Sequence, residues 1–230
     1  MAGELNPWWG IGIPIVTPIL RLLFSVRIEG LEHVPTRGPA LLAFNHVSVL
    51  DGPVVAIETA RRLRRETRFL VAAEQFRRPI VGWILRHYDQ IPIRRGQGDT
   101  GALDEAIATV RSGALAGVSP EGRVNDDGEI ALQRLRSGLA RIALPTGAPV
   151  VPVGVWGTQI RYPRSGFTTR RPWRPKLGLA FGPPLLPEGD AEVPEDVEAL
   201  TDRLKPHLER QVGRARRLAG DHAPAEELAT

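Results

Sequence analysis

The sequence predicts an α/β fold: a single domain with a largely parallel central sheet flanked by helices, preceded by an apolar helical arm. Short apolar runs of strand length alternate along the chain with segments whose apolar residues recur at helical spacing. A length of 230 residues suits one large domain. With 42% hydrophobic residues, the chain can bury a substantial core. We expect an N-terminal arm at residues 1–25, the folded domain at residues 26–217 and a flexible tail at residues 218–230.

The elements of this domain follow one another in a regular order. Strands are predicted at residues 39–45, 67–73, 90–93, 114–119, 148–157 and 176–182, and helices at residues 53–65, 79–88, 99–113 and 132–147. A last helix, which Pro206 is expected to kink or divide, is predicted from an apolar stripe at helical spacing: Val197, Leu200, Leu204, Leu208 and Val212. Strands that alternate with helices favour a parallel sheet, whose functional loops follow the carboxyl ends of the strands.

The N-terminal arm has the composition of a membrane-associating segment. It carries no charge over the 16 residues between Glu4 and Arg21. A helix of that length reaches about 24 Å, whereas a bilayer core needs about 30 Å. Pro14 and Pro18 are expected to interrupt such a helix, and the tryptophans at positions 8 and 9 suit a membrane–water interface. We therefore expect an arm that lies in one leaflet; the alternative is an apolar helix packed on the protein's own core.

Composition limits the chemistry that the chain can perform. The sequence has no cysteine, which excludes disulfides, cysteine metal sites and a cysteine nucleophile. The net charge is +4 and the cationic residues are almost all arginines, which indicates an anionic partner: nucleic acid, anionic lipid or a phosphorylated substrate. The loop at residues 159–176 carries six of these cations and no acid, and it either binds the phosphate groups of such a partner or is simply solvated.

A histidine and an aspartate follow the first predicted strand in the stretch FNHVSVLDG. His46 precedes Asp51 by five residues, which on one helix would place the side chains about 140° apart. A working pair therefore requires His46 in the loop and Asp51 at the first turn of the next helix, where Asp51-Gly52-Pro53 fits a helix start. Asp51 would then hold one imidazole nitrogen and leave the other as a base. A structural loop histidine is the alternative.

Two later strands also end in a polar residue beside a glycine. Arg94, Arg95 and Gly96 follow one strand, where arginine beside glycine favours phosphate binding. Glu121 follows the next strand in the stretch VSPEGRVNDDG, between a proline and Gly122. No G-x-S-x-G nucleophile elbow is present, so a histidine base would activate a substrate hydroxyl rather than a serine of the protein.

Together these stretches resemble the four sequence blocks of the glycerolipid acyltransferase family, which includes the 1-acylglycerol-3-phosphate acyltransferases. NHVSVLDG, IPIRRG, SPEG and VVPVGV occur in the order and approximate spacing of those blocks, and the resemblance covers roughly residues 28–185. The resemblance implies that His46 is the general base and Asp51 the acid that orients it. It also implies that Arg95 binds the phosphate of the acceptor, with Gly96 beside it in the same block.

The third block departs from the family's commoner pattern, Phe-Pro-Glu-Gly-Thr-Arg. Glu121 and Gly122 match the positions that help to bind the acceptor, but Ser119 replaces Phe, Arg123 replaces Thr and Val124 replaces Arg. The positive charge has thus moved by one position. We expect Arg123 still to reach the acceptor phosphate beside the second-block arginine; the alternative is a surface ion pair with Asp126 or Asp127.

The expected function is transfer of a fatty acyl group from acyl-CoA or acyl carrier protein to the hydroxyl of a lysophospholipid, with lysophosphatidic acid as the expected acceptor. Other acceptors remain open: glycerol 3-phosphate or a glycosylated or amino lipid. From other classes, the alternatives are a basic nucleic-acid-binding module and a non-catalytic lipid-binding relative. We expect membrane lipids but no nucleic acid as partners, no cofactor, and a peripheral or monotopic place on the cytoplasmic face of the cell membrane. No metal is expected, because the remaining histidines lack metal-ligand spacing: His33, His87, His207 and His222.

Overall fold

The computed structural model describes residues 5–94, 99–125, 132–169 and 172–221 and contains one seven-stranded sheet with helices on both faces. In chain order the strands are β1 (Ser25–Glu29), β2 (Ala40–Phe44), β3 (Thr67–Ala72), β4 (Ile91–Ile93), β5 (Leu115–Val118), β6 (Val150–Trp156) and β7 (Lys176–Phe181). The helices are α1 (Trp8–Leu23), α2 (Asp51–Leu63), α3 (Pro79–His87), α4 (Thr100–Arg111), α5 (Ala140–Thr146) and α6 (Pro194–Leu218). The predicted fold class is confirmed.

The sheet is mostly parallel, with the order β1-β7-β6-β2-β5-β3-β4. Strands β2 to β6 all run in one direction, whereas β7 pairs antiparallel with β6 and β1 pairs parallel with β7. The carboxyl ends of β2, β5 and β6 therefore meet at one edge of the sheet. Because β2 lies between the other two, the loop that follows it is flanked by the loops that follow β5 and β6.

Two apolar layers cover the sheet. Helices α1 and α2 pack on one face through residues such as Leu20 and Val54. Helices α4 and α5 and the first half of α6 pack on the other face through residues such as Val110 and Leu200. Every residue of β2 is buried, as expected of a parallel strand covered on both sides. Gly154 in β6 lets α6 approach closely, since a Cβ there would come within 2.0 Å of the Gln211 carbonyl oxygen.

The predicted helix at 132–147 is wrong in its first half, because helix α5 begins only at Ala140. The backbone N–H of Gln133 donates to the Glu121 carboxylate at 3.1 Å, and that of Arg136 donates to the Pro120 carbonyl at 2.7 Å. The second bond takes the N–H that a helix beginning at residue 132 would need for its first i→i−4 bond. Two further differences concern β1, which was not predicted, and α6, which Pro206 does not divide into two helices.

The expectation that Pro14 and Pro18 interrupt a helix is also wrong, since α1 runs through both. Each proline removes one backbone donor and so frees the carbonyl four residues earlier. Both prolines are exposed on the same side of α1. Burial of the opposite side of the helix stabilises it against this loss.

Helix α1 packs on the domain with one face and exposes apolar residues on the other. Trp9 and Leu20 are buried, and the indole N–H of Trp9 donates to Glu66 at 3.2 Å. Trp9 is therefore not an interface residue, contrary to the expectation for the tryptophan pair. The exposed face carries four large apolar residues: Ile11, Ile15, Ile19 and Leu22. In the described part of the chain, every helix is too short or too polar to cross a bilayer.

Candidate active site

The site lies where β2, β5 and β6 end side by side. His46 is in the loop after β2, Glu121 in the turn after β5 and Thr158 directly after β6. Asn45 joins the loop after β2 to strand β6, because its side-chain amide donates to the Val155 carbonyl at 3.0 Å and accepts from the Val155 N–H at 2.7 Å. These residues lie far apart in the sequence and are brought together by the strand order.

The structure brings His46 and Asp51 into hydrogen-bonding contact. Asp51 is the first residue of α2, and its Oδ2 lies 3.1 Å from the Nδ1 of His46. An ionised carboxylate can only accept, so this contact places the proton on Nδ1 and leaves Nε2 free to take a proton. The His46 side chain is 14% exposed, whereas that of Asp51 is fully buried. The arrangement can hold an imidazole base in one orientation.

Asp51 is held by two further donors. Its Oδ2 also accepts from the backbone N–H of Ser48 at 2.8 Å, and its Oδ1 accepts from the hydroxyl of Thr158 at 2.5 Å. Ser48 and Thr158 are themselves fully buried. A buried carboxylate is costly unless its lone pairs are occupied, and here both oxygens have partners. Asp51 is therefore fixed from three sides.

Glu121 supports the loop that carries the histidine. Its Oε1 accepts from the backbone N–H of His46 at 2.7 Å, and its Oε2 accepts from that of Gln133 at 3.1 Å. The residue is 2% exposed, and burial raises the pKa of its carboxyl, although the hydrogen bonds from Gln133 and His46 oppose this effect. With both oxygens bound to main chain, Glu121 is placed to position His46. Its expected contact with the acceptor stays a prediction.

The remaining site residues from the sequence are described only in part. Arg95 and Gly96 lie outside the described residues, as do Asp126 and Asp127. Arg94, which directly precedes Arg95, donates its backbone N–H to the side chain of Asp99 at 2.8 Å.

In the third block, Gly122 has a φ of 74°, which favours glycine. Arg123 is exposed and its Nε donates to the side chain of Gln133 at 2.6 Å. Its role toward a phosphate stays a prediction.

The basic loop contains one arginine that serves the fold. Arg161 is buried, donates to the Pro172 carbonyl at 2.8 Å and lies 6.0 Å from the centroid of the Trp173 ring. Arg170 and Arg171 lie outside the described residues. At least part of the charge in this loop is thus structural and not directed at a ligand.

Sequence reasoning missed Thr158, Asn45 and Ser48. Asn45 and Ser48 lie within the first quoted block and could have been noticed there. Thr158 lies three residues after the fourth block, but nothing local indicates that it contacts Asp51, 107 residues earlier in the chain. Only the pairing of β6 with β2 makes that contact visible.

The fold and the histidine–aspartate pair together define an α/β protein that presents an oriented imidazole base at the end of its central strand. A family model for acyltransferases matches residues 25–156, and the chain belongs to this acyltransferase family.

Individual relatives agree with this assignment. An uncharacterized protein of Mycobacterium bovis is 34% identical over 165 residues, which make up 65% of this chain and 43% of that protein. A chloroplast 1-acyl-sn-glycerol-3-phosphate acyltransferase of Brassica napus is 30% identical over 138 residues, 59% of this chain and 38% of the relative. The chain thus spans less than half the length of these relatives. The crystal structure of the 1-acyl-sn-glycerophosphate acyltransferase of Thermotoga maritima superposes with a TM-score of 0.63 at 25% identity and covers 90% of this chain and 78% of that one.

The contacts of Glu121 predict the effect of replacing it by glutamine. A glutamine has one side-chain oxygen, so it can accept from only one of the two backbone N–H groups and turns its amide toward the other. The His46 loop should shift, and kcat should fall between about 10- and 100-fold, since misplacement of a catalytic group has this order of effect. Initial rates of acyl transfer measure the loss. Glu105→Gln, which removes the same charge from the exposed face of α4, should leave the rate unchanged.

The difference in stability between the wild type and Glu121→Gln should depend on pH. Because the pKa of Glu121 is raised in the folded state, its contribution to stability is present below the ordinary pKa of 4.5 and is lost as the pH rises through the folded-state pKa. The free energy of unfolding of the wild type, minus that of Glu121→Gln, should therefore decrease between pH 4.5 and 7. Urea unfolding at pH 4.5 and at pH 7 measures this difference in unfolding free energy. A difference that increases with pH would contradict a raised pKa of Glu121 in the folded state.

Proposed function

We propose that this chain transfers a fatty acyl group from an acyl thioester, acyl-CoA or acyl carrier protein, to the free hydroxyl of a lysophospholipid, with lysophosphatidic acid as the expected acceptor. The observation that carries the proposal is the His46–Asp51 pair, with Asp51 buried and held by three donors at the end of the central strand. Membership of the acyltransferase family supports the reaction class.

The chemistry needs one base and no acyl carrier on the protein. Nε2 of His46 takes the proton of the acceptor hydroxyl while the oxygen attacks the thioester carbonyl carbon. The tetrahedral intermediate collapses with cleavage of the C–S bond, and the leaving thiolate takes up the proton from His46. A serine ester is not favoured, because the nearby Ser48 hydroxyl is buried, donates to the Tyr162 carbonyl at 2.7 Å and accepts from the Leu50 N–H.

The acceptor is proposed from charge. Arg123 lies in the turn that follows Glu121, and Arg95 belongs to the second block, so a phosphate-bearing acceptor is favoured. The alternatives are glycerol 3-phosphate and a glycosylated or amino lipid. A nucleic-acid-binding role or a non-catalytic lipid-binding role would leave the imidazole base without a use.

The direct test offers palmitoyl-CoA and palmitoyl–acyl carrier protein to the purified protein with a panel of lysolipids and glycerol 3-phosphate, followed by mass analysis of the product. Phosphatidic acid formed from lysophosphatidic acid above the level of a His46→Ala control supports the proposal. A different acylated lipid would correct the acceptor, and no product with any pair would refute the function.

We further propose that the protein associates peripherally with the cytoplasmic face of the cell membrane through α1 and α3. The exposed apolar face of α1 is joined by Ile80, Trp83 and Ile84 of α3, which are also exposed. The two helices meet where Trp8 packs edge-on against Trp83, with ring centroids 5.2 Å apart. Contiguous exposed apolar residues of this kind mark a surface that binds a lipid or another protein.

Two substitutions on the exposed face of α1 test this surface. Ile15 and Ile19 are 55% and 49% exposed, so the double variant Ile15→Glu/Ile19→Glu should fold normally and lose most of its binding to vesicles with anionic lipid. Vesicle flotation measures the bound fraction. Leu186→Glu changes an equally exposed residue elsewhere and should float like the wild type. Unchanged flotation of the double variant would mean that another surface of the protein binds the membrane.

A further inference from the structure

A cavity of about 1130 Å³ opens beside the turn that carries Glu121 and Gly122. One wall is formed by residues 133–137 and the start of α5, and the other by the first three turns of α6. The residues from Pro194 to Lys205 that line the second wall extend over about 16 Å of helix. The cavity is therefore an elongated groove with one end at the proposed active site.

One wall of the groove is strongly basic. Its guanidinium groups come from Arg123, Arg134, Arg136 and Arg141. Within the described part of the chain, the side chains of Arg134, Arg136 and Arg141 form no hydrogen bond or ion pair, and all three are exposed. Arginines elsewhere are often paired, as Arg61 and Arg62 are with the buried Glu58. The groove thus offers three free guanidinium groups along one side.

The Glu121–Gly122 turn is shaped to admit one of these arginines. A Cβ at position 122 would lie 2.9 Å from both Cδ and Nε of Arg136. Glycine therefore leaves room for the Arg136 side chain to lie against the turn that holds His46. The backbone N–H of Arg136 also donates to the Pro120 carbonyl at 2.7 Å, which fixes the chain at this point.

The groove and the proposed lipid surface lie on opposite faces of the sheet. Helix α1 packs with the layer that contains Phe24 and Val54, whereas the groove residues Leu135 and Val197 belong to the layer of α4, α5 and α6. The active-site loop lies at the edge between these faces. A lipid acceptor approaching from the α1 side would leave the groove free for a second, water-soluble substrate.

From these observations we infer that the groove binds the phosphate groups of a nucleotide-linked acyl donor, that is, the CoA part of an acyl-CoA. The inference rests on the proposed function and goes beyond it by assigning the donor and its site. CoA carries its phosphates at one end and its thioester at the other end of a long arm, which suits an elongated groove that ends near His46. Guanidinium groups bind phosphate through paired N–H donors. Glu198 and Asp202 on the α6 wall supply acceptors for the amide N–H groups of the arm.

Direct binding of unreactive ligands tests the site separately from catalysis. Free CoA and adenosine 3′,5′-bisphosphate are titrated into the full chain by calorimetry at 0.05 and 0.3 M salt. Arg134→Gln/Arg141→Gln should bind both ligands at least about tenfold more weakly at low salt, because charge-assisted bonds are lost, and the difference should shrink at high salt. Arg37→Gln removes an exposed arginine beside a separate pocket that Arg64 and Arg65 also line, and should bind like the wild type.

Steady-state kinetics provide a second test of the groove as the CoA site. The double variant should show a raised KM for acyl-CoA and an unchanged KM for the lysolipid. Should the double variant fail to fold, each single variant should show part of the loss. Equal CoA affinity in wild type and variants would overturn the inference, as would a wild type that uses acyl carrier protein and does not bind CoA. CoA binding that depends on these arginines without acyl transfer to any acceptor would instead refute the proposed function and leave the site standing.

Discussion

Replacing His46 by alanine should lower the rate of acyl transfer by about 10²- to 10⁴-fold, the range that a positioned general base supplies. Nδ1 of His46 is held by Asp51, so Nε2 is the nitrogen available to the acceptor hydroxyl. The backbone fold should persist, because the ring is partly exposed and meets Phe44 edge-on, with centroids 5.8 Å apart. Mass analysis of product against time measures the rate.

Two controls separate loss of the base from loss of the fold. Thermal unfolding of His46→Ala should show a melting temperature within a few degrees of the wild type, consistent with a change of about 1 kcal/mol. His207→Ala removes a histidine from the middle of α6, far along the chain from the active-site loop, and should keep full activity. Near-normal turnover by a folded His46→Ala enzyme would falsify the mechanism.

Asp51→Asn should lower the rate by about 100-fold, the lower end of the range that a positioned general base supplies, and by less than Asp51→Ala does. An asparagine oxygen can replace Oδ2 and accept from His46 Nδ1–H and the Ser48 N–H, provided that its amide group faces Thr158. The Thr158 hydroxyl can accept as well as donate, so the amide finds a partner and the imidazole keeps its tautomer. The rate still falls because the variant lacks the negative charge that stabilises the imidazolium formed during transfer.

Thr158 provides the test of this reasoning. Thr158→Val alone leaves Asp51 Oδ1 without its donor in a buried site, which should cost about 1–3 kcal/mol of stability and only part of the rate. In the double variant Asp51→Asn/Thr158→Val, the amide oxygen still accepts from His46 Nδ1–H and the Ser48 N–H, so the imidazole keeps its tautomer. Because Thr158 acts on the rate through its contact with residue 51, the combined rate loss should be smaller than the product of the single losses. A simple product would mean that Thr158 does not position Asp51.

Much of the architecture was predictable because it depends on local patterns. The apolar run that became β2 is buried on both sides, and its length and composition indicate this directly. The helix predicted from residue 99 is found as α4, and Asp99 caps it by accepting from the Ala102 N–H at 3.2 Å. The five-residue spacing of His46 and Asp51 also required a loop residue and a helix-start residue, and the structure places them so.

Other features depend on contacts between residues distant in the sequence. The segment before α5 reads as helical, but Glu121 and Pro120 take its N–H groups. Helix α1 tolerates two prolines because its other face is buried. In both cases the tertiary contacts outweigh the local preference of the backbone.

The sequence by itself thus determined the α/β fold, the order of its elements and the histidine–aspartate pair, because periodicity and spacing within a short segment carry that information. Only the tertiary structure decided the reversed direction of β7, the partnership of Thr158 with Asp51, and the groove that faces away from α1. Strand pairing selects which distant loops become neighbours, and no local pattern encodes that choice.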